Sequence, residues 1–400
     1  MKRQRLSKQT FFEKRKKAHL SLDRWLCHPI VGTLCFFTIV FFVFYLSFSG
    51  IGACLSHILA QIFTYILEHL YIGLIKMGAS ESLCRLVILG VFHGVASVLS
   101  CLPQTVILFF LLDFLEACGY ISRAVHALDH AFRPIGLSGE ALLPVLMGFG
   151  CTVPAIIAAS HTKEKESATC LLVFIPCNAK VPLLTLIVYN FFEQKRTLVV
   201  FFLYLLCISM GIIQAFWQNK QIKPPAFADE LPPLELPPIS TLIMQTRIKT
   251  KEYLIRAATI VFLSCLAVNI LSTLTPSFAI TQCKDESILA HFGDLLAPIF
   301  SPLGFDDGRL ISALLSGIFA KEMIVSTAEV LIPEGIKTML SPAQALSFLV
   351  FGFMYSPCIT ATCTIKKEFG AEKSLRIFIG CTATAYAISF LIYTIYRIFA

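Results

Sequence analysis

The chain has 400 residues, 56% of them hydrophobic and only 14% charged, with a formal net charge of +8. A mean hydropathy of +0.76 means more apolar surface than a water-facing domain can hide, which excludes a soluble globular class and indicates an all-α polytopic membrane protein. Its fifteen cysteines are scattered through apolar runs without zinc-module spacing, so most read as small buried hydrophobes.

Residues 1–28 form a basic arm, with Lys2, Arg3, Arg5, Lys8, Lys14, Arg15, Lys16, Lys17 and Arg24 set against Glu13 and Asp23. Basic residues beside a first span resist translocation, so the arm is expected in the cytoplasm, contacting lipid headgroups rather than nucleic acid. It is too long and too charged for a cleaved signal peptide. Residues 29–49 are apolar throughout and long enough to cross the hydrocarbon. Over 50–77, Ser56, His57, Gln61, Glu68, His69 and Lys76 punctuate the apolar residues, as in an amphipathic helix at the interface or against a bundle. The segment 84–100 is interrupted by Gly90, His93 and Gly94 and predicts a re-entrant or broken helix, with His93 as a helix-to-helix hydrogen bond. Residues 102–117 are strongly apolar and end at Asp113, Glu116 and Gly119, and 120–133 predict an exposed amphipathic connector.

A further span is expected over 169–192, around Pro176 and Pro182, and another over 197–217. Three Pro-Pro pairs then make 222–250 an extended, Pro-rich linker between a first membrane half, 29–221, and a second, 251–400. The second half opens with a basic amphipathic approach over 247–256, followed by spans at 257–274, 310–331, 343–364 and 375–399.

The two halves share a design. PIGLSGEALLPVLMGFGCTVP at 134–154 matches PLGFDDGRLISALLSGIFAKE at 302–322: Pro134, Gly136 and Leu142 fall on Pro302, Gly304 and Leu310, and a one-residue slip brings Gly148 onto Gly317. Pro176-Cys177 follows the first stretch and Pro357-Cys358 the second. Glycine, proline and a thiol inside an apolar run suit a helix that breaks within the membrane and offers backbone carbonyls to a cargo. A duplicated broken helix predicts a transporter.

Within GFGCTVPA, Pro154 leaves a carbonyl one turn back without its amide, so thiol, hydroxyl and carbonyl face one spot around Cys151. Cys151, Cys177 and Cys358 are the candidate metal ligands; the competing reading is small residues filling tight helix crossings. Sulfur with a few oxygens suits a borderline divalent ion such as Fe(II) rather than Mg(II) or Ca(II), without separating iron from zinc, manganese or copper. Intramembrane Glu322, beside Lys321, is the fourth candidate, against a structural ion pair with Arg123 or Arg309. Asn178 and Lys180 flank Cys177. No G-x-x-x-x-G-K-[ST], HExxH, CxxC or GxSxG occurs, so no enzymatic activity, catalytic residue or resident cofactor is expected and an energy source must come from a gradient or a second chain.

The run from Leu102, LPQTVILFFLLDFLEACGYISRAVHALDHAFRPIGLSGEALLPVLMGFGCTVPAIIA, with LDRWLCHPIVG, ELPPLELPP, APIFSPLGFDD, AKEMIVST and YSPCITATCTIKKEFG, resembles the membrane half of the bacterial ferrous iron transport protein B (FeoB) family. The resemblance covers nearly all of the chain after the arm. It implies two Gate repeats, inward Fe(II) movement across a bacterial cytoplasmic (inner) membrane, and gate cysteines falling on Cys151, Cys177 and Cys358. The family's amino-terminal GTPase and helical regulatory domains have no counterpart ahead of the first span, so a separately encoded G-protein partner is expected, and a homo-oligomer is compatible. PCNAKVP departs from the family pattern, which more often has serine before the cysteine and arginine in place of Lys180. Other cargo, a second divalent metal or a nucleoside, and a non-transporting scaffold or sensor for a G-protein are the alternatives.

Overall fold

The computed structural model describes residues 23, 25–78, 92, 96, 99–100, 102–132, 139–162, 164–218, 234–275, 287–332 and 334–399. Most of the basic arm, Gly90, His93 and Gly94, Pro134 and Gly136, and the linker up to Pro233 lie outside the described residues.

Helix α1, Pro29–Phe44, begins where Nδ1 of His28 accepts the amides of Ile30 and Val31 at 3.2 and 3.4 Å. Pro29 occupies the first turn, where its missing N–H leaves no gap in the ladder. A π-turn, Tyr45–Ser49, leads into α2, Ile51–Lys76, and the whole run is 48 residues long. At a helical rise it extends about 72 Å, over twice a bilayer's apolar thickness, so part of it lies beyond the hydrocarbon. The polar residues from Ser56 to Lys76 are in its second part, which packs on α3, Leu102–Ala117.

Helix α4, Tyr120–Phe132, folds back at 81° to α3. The expected exposed connector over 120–133 is corrected here. Tyr120, Ile121, Ala124, Val125, Ala127 and Leu128 are buried, and Arg123 is only 1% exposed. Polar residues suggested a wet surface, but the largest charge is neutralised inside: Arg123 Nε donates to Asp23 at 2.6 Å and its NH1 to the Gly119 carbonyl at 2.8 Å. That frees α4 to pack its apolar face against α1.

The rest of the first half is α5, Leu142–Gly150; α6, Thr152–Ala159; α7, Lys165–Phe174; α8, Val181–Phe191; and α9, Arg196–Gln218. The second half comprises α10, Ile239–Thr273; α11, Ile288–Phe300; α12, Gly308–Phe319; α13, Met323–Leu331; α14, Pro342–Met354; α15, Ile359–Phe369; and α16, Ala371–Phe399. The basic approach and the span expected after it are one uninterrupted helix, α10. The span expected over 343–364 is broken into α14 and α15.

The repeat legible in the sequence is a repeat of elements. Helices α4 and α11 are each 13 residues long. Each is followed by a broken pair (α5–α6, α12–α13), a second broken pair (α7–α8, α14–α15) and a closing span (α9, α16). Their packing is reciprocal: α7 lies on α9 as α14 lies on α16, and α6 meets α15 while α13 meets α8. This exchange is what a two-fold relation between repeats produces. One apolar core, including Val153, Leu184, Leu203, Leu314, Phe353 and Ala385, runs through both halves.

By length and composition, five helical stretches among the described residues can cross a membrane, and the bent pairs α3–α4 and α11–α12 raise the total to seven if each is one span. The second pair bends by 99°. A Cβ at Gly293 would overlap the Gly308 carbonyl and the Ser312 hydroxyl, so only glycine lets these helices meet. The halves are also tied by Asp113 of α3, 3% exposed, which takes Lys249 at 2.5 Å and the Thr246 hydroxyl at 3.0 Å, both from α10.

Two stability outcomes follow from these contacts, read as thermal unfolding of the detergent-solubilised chain. Lys249→Met strands a buried carboxylate and should cost about 2–4 kcal/mol, whereas Asp113→Asn keeps an acceptor for Thr246 and should cost about half as much. Equal losses would contradict the burial of that carboxylate. Gly293→Ala should lower the melting temperature more than Gly148→Ala, where the nearest atom is the movable Leu172 Cδ2 at 3.1 Å.

Candidate functional site

Four interruptions define the candidate site, two from each repeat. The first is Cys151, extended at φ −150°, ψ 129° between α5 and α6. Its amide closes the last turn onto the Met147 carbonyl at 2.9 Å. Pro154 lies in the first turn of α6 and has no N–H to return to the Gly150 carbonyl. The third residue after the aligned glycine is therefore where the helix opens.

The equivalent place in the second repeat is Ala320, with φ −148°, ψ 133° and its amide on the Ser316 carbonyl at 3.4 Å. The one-residue slip that aligns Gly148 with Gly317 thus carries Cys151 onto Ala320, and the second repeat has no thiol there. Lys321 and Glu322 follow instead. The Ser316 hydroxyl bridges the opening, within reach of the carbonyls of Ala313 at 2.7 Å and Met323 at 3.1 Å.

The two Pro-Cys signals make the other breaks. Proline disfavours a helical conformation in the residue before it, so Ile175 is extended ahead of Pro176. Cys177 and Cys358 are both extended, at ψ 163° and 157°, and each stands at the N-cap position of the helix that follows. Asn178 Nδ2 contacts Gln104 Oε1 of α3 at 3.4 Å, which ties the third break to the start of its own repeat.

The structure brings the candidate residues together. Cys151 lies within electrostatic reach of Cys177, Cys358 and Glu322, and Cys358 within reach of Cys177, Lys321 and Glu322. The contacts of α6 with α15 and of α8 with α13 produce this convergence. Cys177 is buried, while Cys151, Cys358 and Glu322 are partly exposed. Among the described residues, no three His, Cys, Asp or Glu side chains are close enough to hold one metal ion together. The last carbonyls of α5, α7, α12 and α14 lack intrahelical amides and add oxygen to the same region.

Glu322 forms no ion pair among the described residues: Arg309 binds Asp307 at 3.1 Å, and Arg123 binds Asp23. Lys321, 3% exposed, turns onto the Tyr355 ring with its Nζ 3.2 Å from the centroid. Lys180 is buried too, 5% exposed, and within electrostatic reach of Lys321. Sequence reasoning missed Tyr355, although its place two residues before Pro357 in YSPC was a visible sign that it lines the fourth break.

A family model described as Gate, nucleoside recognition, matches residues 98–216 and 254–372, the two repeats. The chain is 32% identical over 398 aligned residues to the Fe(2+) transporter FeoB of Staphylococcus aureus (strain COL), covering 94% of this chain and 59% of that protein. It is 30% identical to the Fe(2+) transporter FeoB of Methanocaldococcus jannaschii, covering 93% and 58%, and 28% identical to that of Helicobacter pylori (strain 26695), covering 92% and 65%. The chain thus spans about three fifths of the length of these curated relatives. No solved structure matches it. Two matched repeats identify this protein as a member of the Gate family, similar along nearly its whole length to FeoB proteins.

Proposed function

We propose that this chain moves Fe(II) across a membrane through the region where the four breaks converge. The observation that carries the reading is that three of those breaks present a thiol, at Cys151, Cys177 and Cys358, within electrostatic reach of one another and, for Cys151 and Cys358, of Glu322. The relatives named Fe(2+) transporter support iron as the cargo. So does ligand softness, since thiol sulfur with carbonyl and carboxylate oxygen suits a borderline divalent ion. Side chains too far apart to close on one ion favour hand-over from ligand to ligand; a full cage would hold the ion and not release it. Glu322 offsets the cargo's charge, and the carbonyls at the helix ends replace part of its water shell.

The energy source in this proposal is a G-protein, whose phosphate-cradling loop does not occur within these 400 residues. In this reading the N-terminus lies in the cytoplasm, because basic residues beside a first span resist translocation, and the membrane is a bacterial inner membrane. The description of the matching family as nucleoside recognition keeps a nucleoside as the competing cargo.

Labelled-iron uptake by an iron-starved host tests the path. Cys151→Ala and Cys358→Ala should each lower uptake several-fold, and the double variant roughly tenfold, equivalent to about 1.4 kcal/mol of lost ion stabilisation, at unchanged protein level. Full uptake by the double variant would remove these residues from the path. Unlabelled Mn(II) or Zn(II) should compete weakly and nucleosides not at all; strong competition by a nucleoside would transfer the reading to that cargo.

A further inference from the structure

We propose that Lys321 is a tethered cation that keeps the path closed: its ammonium, seated on the Tyr355 ring, occupies the place an incoming metal ion must take. This rests on reading the four breaks as an ion path.

The lysine is unusual in what it lacks. Its Nζ is fully enclosed and has no hydrogen-bond acceptor among the described residues. Neighbouring Glu322 does not pair with it, and a buried lysine that served stability alone would have a carboxylate partner or extend its ammonium to water. What it has is the face of Tyr355, 3.2 Å below the ammonium.

That ring is fixed from three sides. Its hydroxyl donates to the Leu314 carbonyl of α12 at 2.8 Å. It stacks on Phe351 of α14 with centroids 5.2 Å apart and planes 11° from parallel. The third side is Gly317, where a Cβ would overlap both the Tyr355 hydroxyl and Ile324. The glycine aligned between the repeats therefore makes room for the platform.

The ammonium's position gives it a role. It follows the Ala320 break directly and stands within electrostatic reach of Cys177 and Cys358, with Lys180 adding a second positive charge nearby. With its proton on, the amine puts a positive charge beside the thiols that repels any cation approaching them. A ring face holds an ammonium less tightly than a carboxylate would, and the break between α12 and α13 is a point about which the lysine can swing aside. The path thus opens by displacement of a surrogate ion already in place.

The test is thiol chemistry on the purified full chain in liposomes, resolved to the Cys358 peptide by mass spectrometry. The rate with a small cationic methanethiosulfonate is divided by the rate with a neutral one of similar size. Lys321→Met should raise this ratio about tenfold, Lys321→Arg should leave it near the unsubstituted value, Tyr355→Leu should raise it and Tyr355→Phe should not. Lys321→Gln is the second uncharged variant, should the methionine form not fold. An unchanged ratio in the uncharged variants, or a Cys358 that stays unreactive in them, overturns the proposal. Divalent-cation flux down an imposed gradient, which needs no G-protein to drive it, measured in the same liposomes separates the two readings: a shifted ratio with no iron flux in any variant sinks the Fe(II) reading and keeps the plug, while iron flux with an unshifted ratio does the reverse.

Discussion

A helix inside a bilayer has no water to satisfy a broken hydrogen-bond ladder, and the rest of this structure follows from that constraint. Each interruption exposes several carbonyls and amides whose desolvation without partners costs several kcal/mol. Four such breaks in the two repeats are at Cys151, Ile175–Cys177, Ala320–Glu322 and Tyr355–Cys358. Reciprocal packing of the repeats gathers them, so that each half covers the openings of the other. Side-chain hydroxyls such as Ser316 bridge part of the gap. Carbonyls at such breaks lack intrahelical amides, and a cation can substitute for them.

The two repeats are alike in backbone and different in chemistry. At the second break both carry Pro-Cys with the same extended cysteine, so duplicated geometry and duplicated thiol go together. At the first break the backbone angles of Cys151 and Ala320 agree within a few degrees, yet one residue brings sulfur and the other brings the Lys321-Glu322 pair behind it. Duplication accounts for the cradle, and divergence at the first break for what fills it: a thiol at Cys151 in one repeat, the Lys321-Glu322 pair in the other.

Membrane class, repeats and breaks were legible because they rest on local facts, namely apolar runs long enough to span and glycine or proline where a helix must open. The positions of Cys151, Cys177, Cys358 and Glu322 near one another were legible only as an expectation, through the repeat. Pairing across the fold was not legible. Arg123 made 120–133 look exposed because its partner, Asp23, is 100 residues away, and the ion pair that buries it has no local signature. Tyr355 escaped notice for the same reason: its meaning depends on Lys321, which reaches it only after α12 and α14 pack. The slip between Gly148 and Gly317 was visible, but its consequence, Ala320 opposite Cys151, needed the backbone angles of both breaks.

The central claim is that sulfur from these breaks touches the cargo. Iron K-edge absorption of the chain loaded anaerobically with Fe(II) in lipid measures it directly. Sulfur scattering in the iron's nearest shell, weakened by Cys151→Ala and by Cys358→Ala, is the predicted result. An iron shell of oxygen and nitrogen alone, the same with and without these thiols, would contradict it.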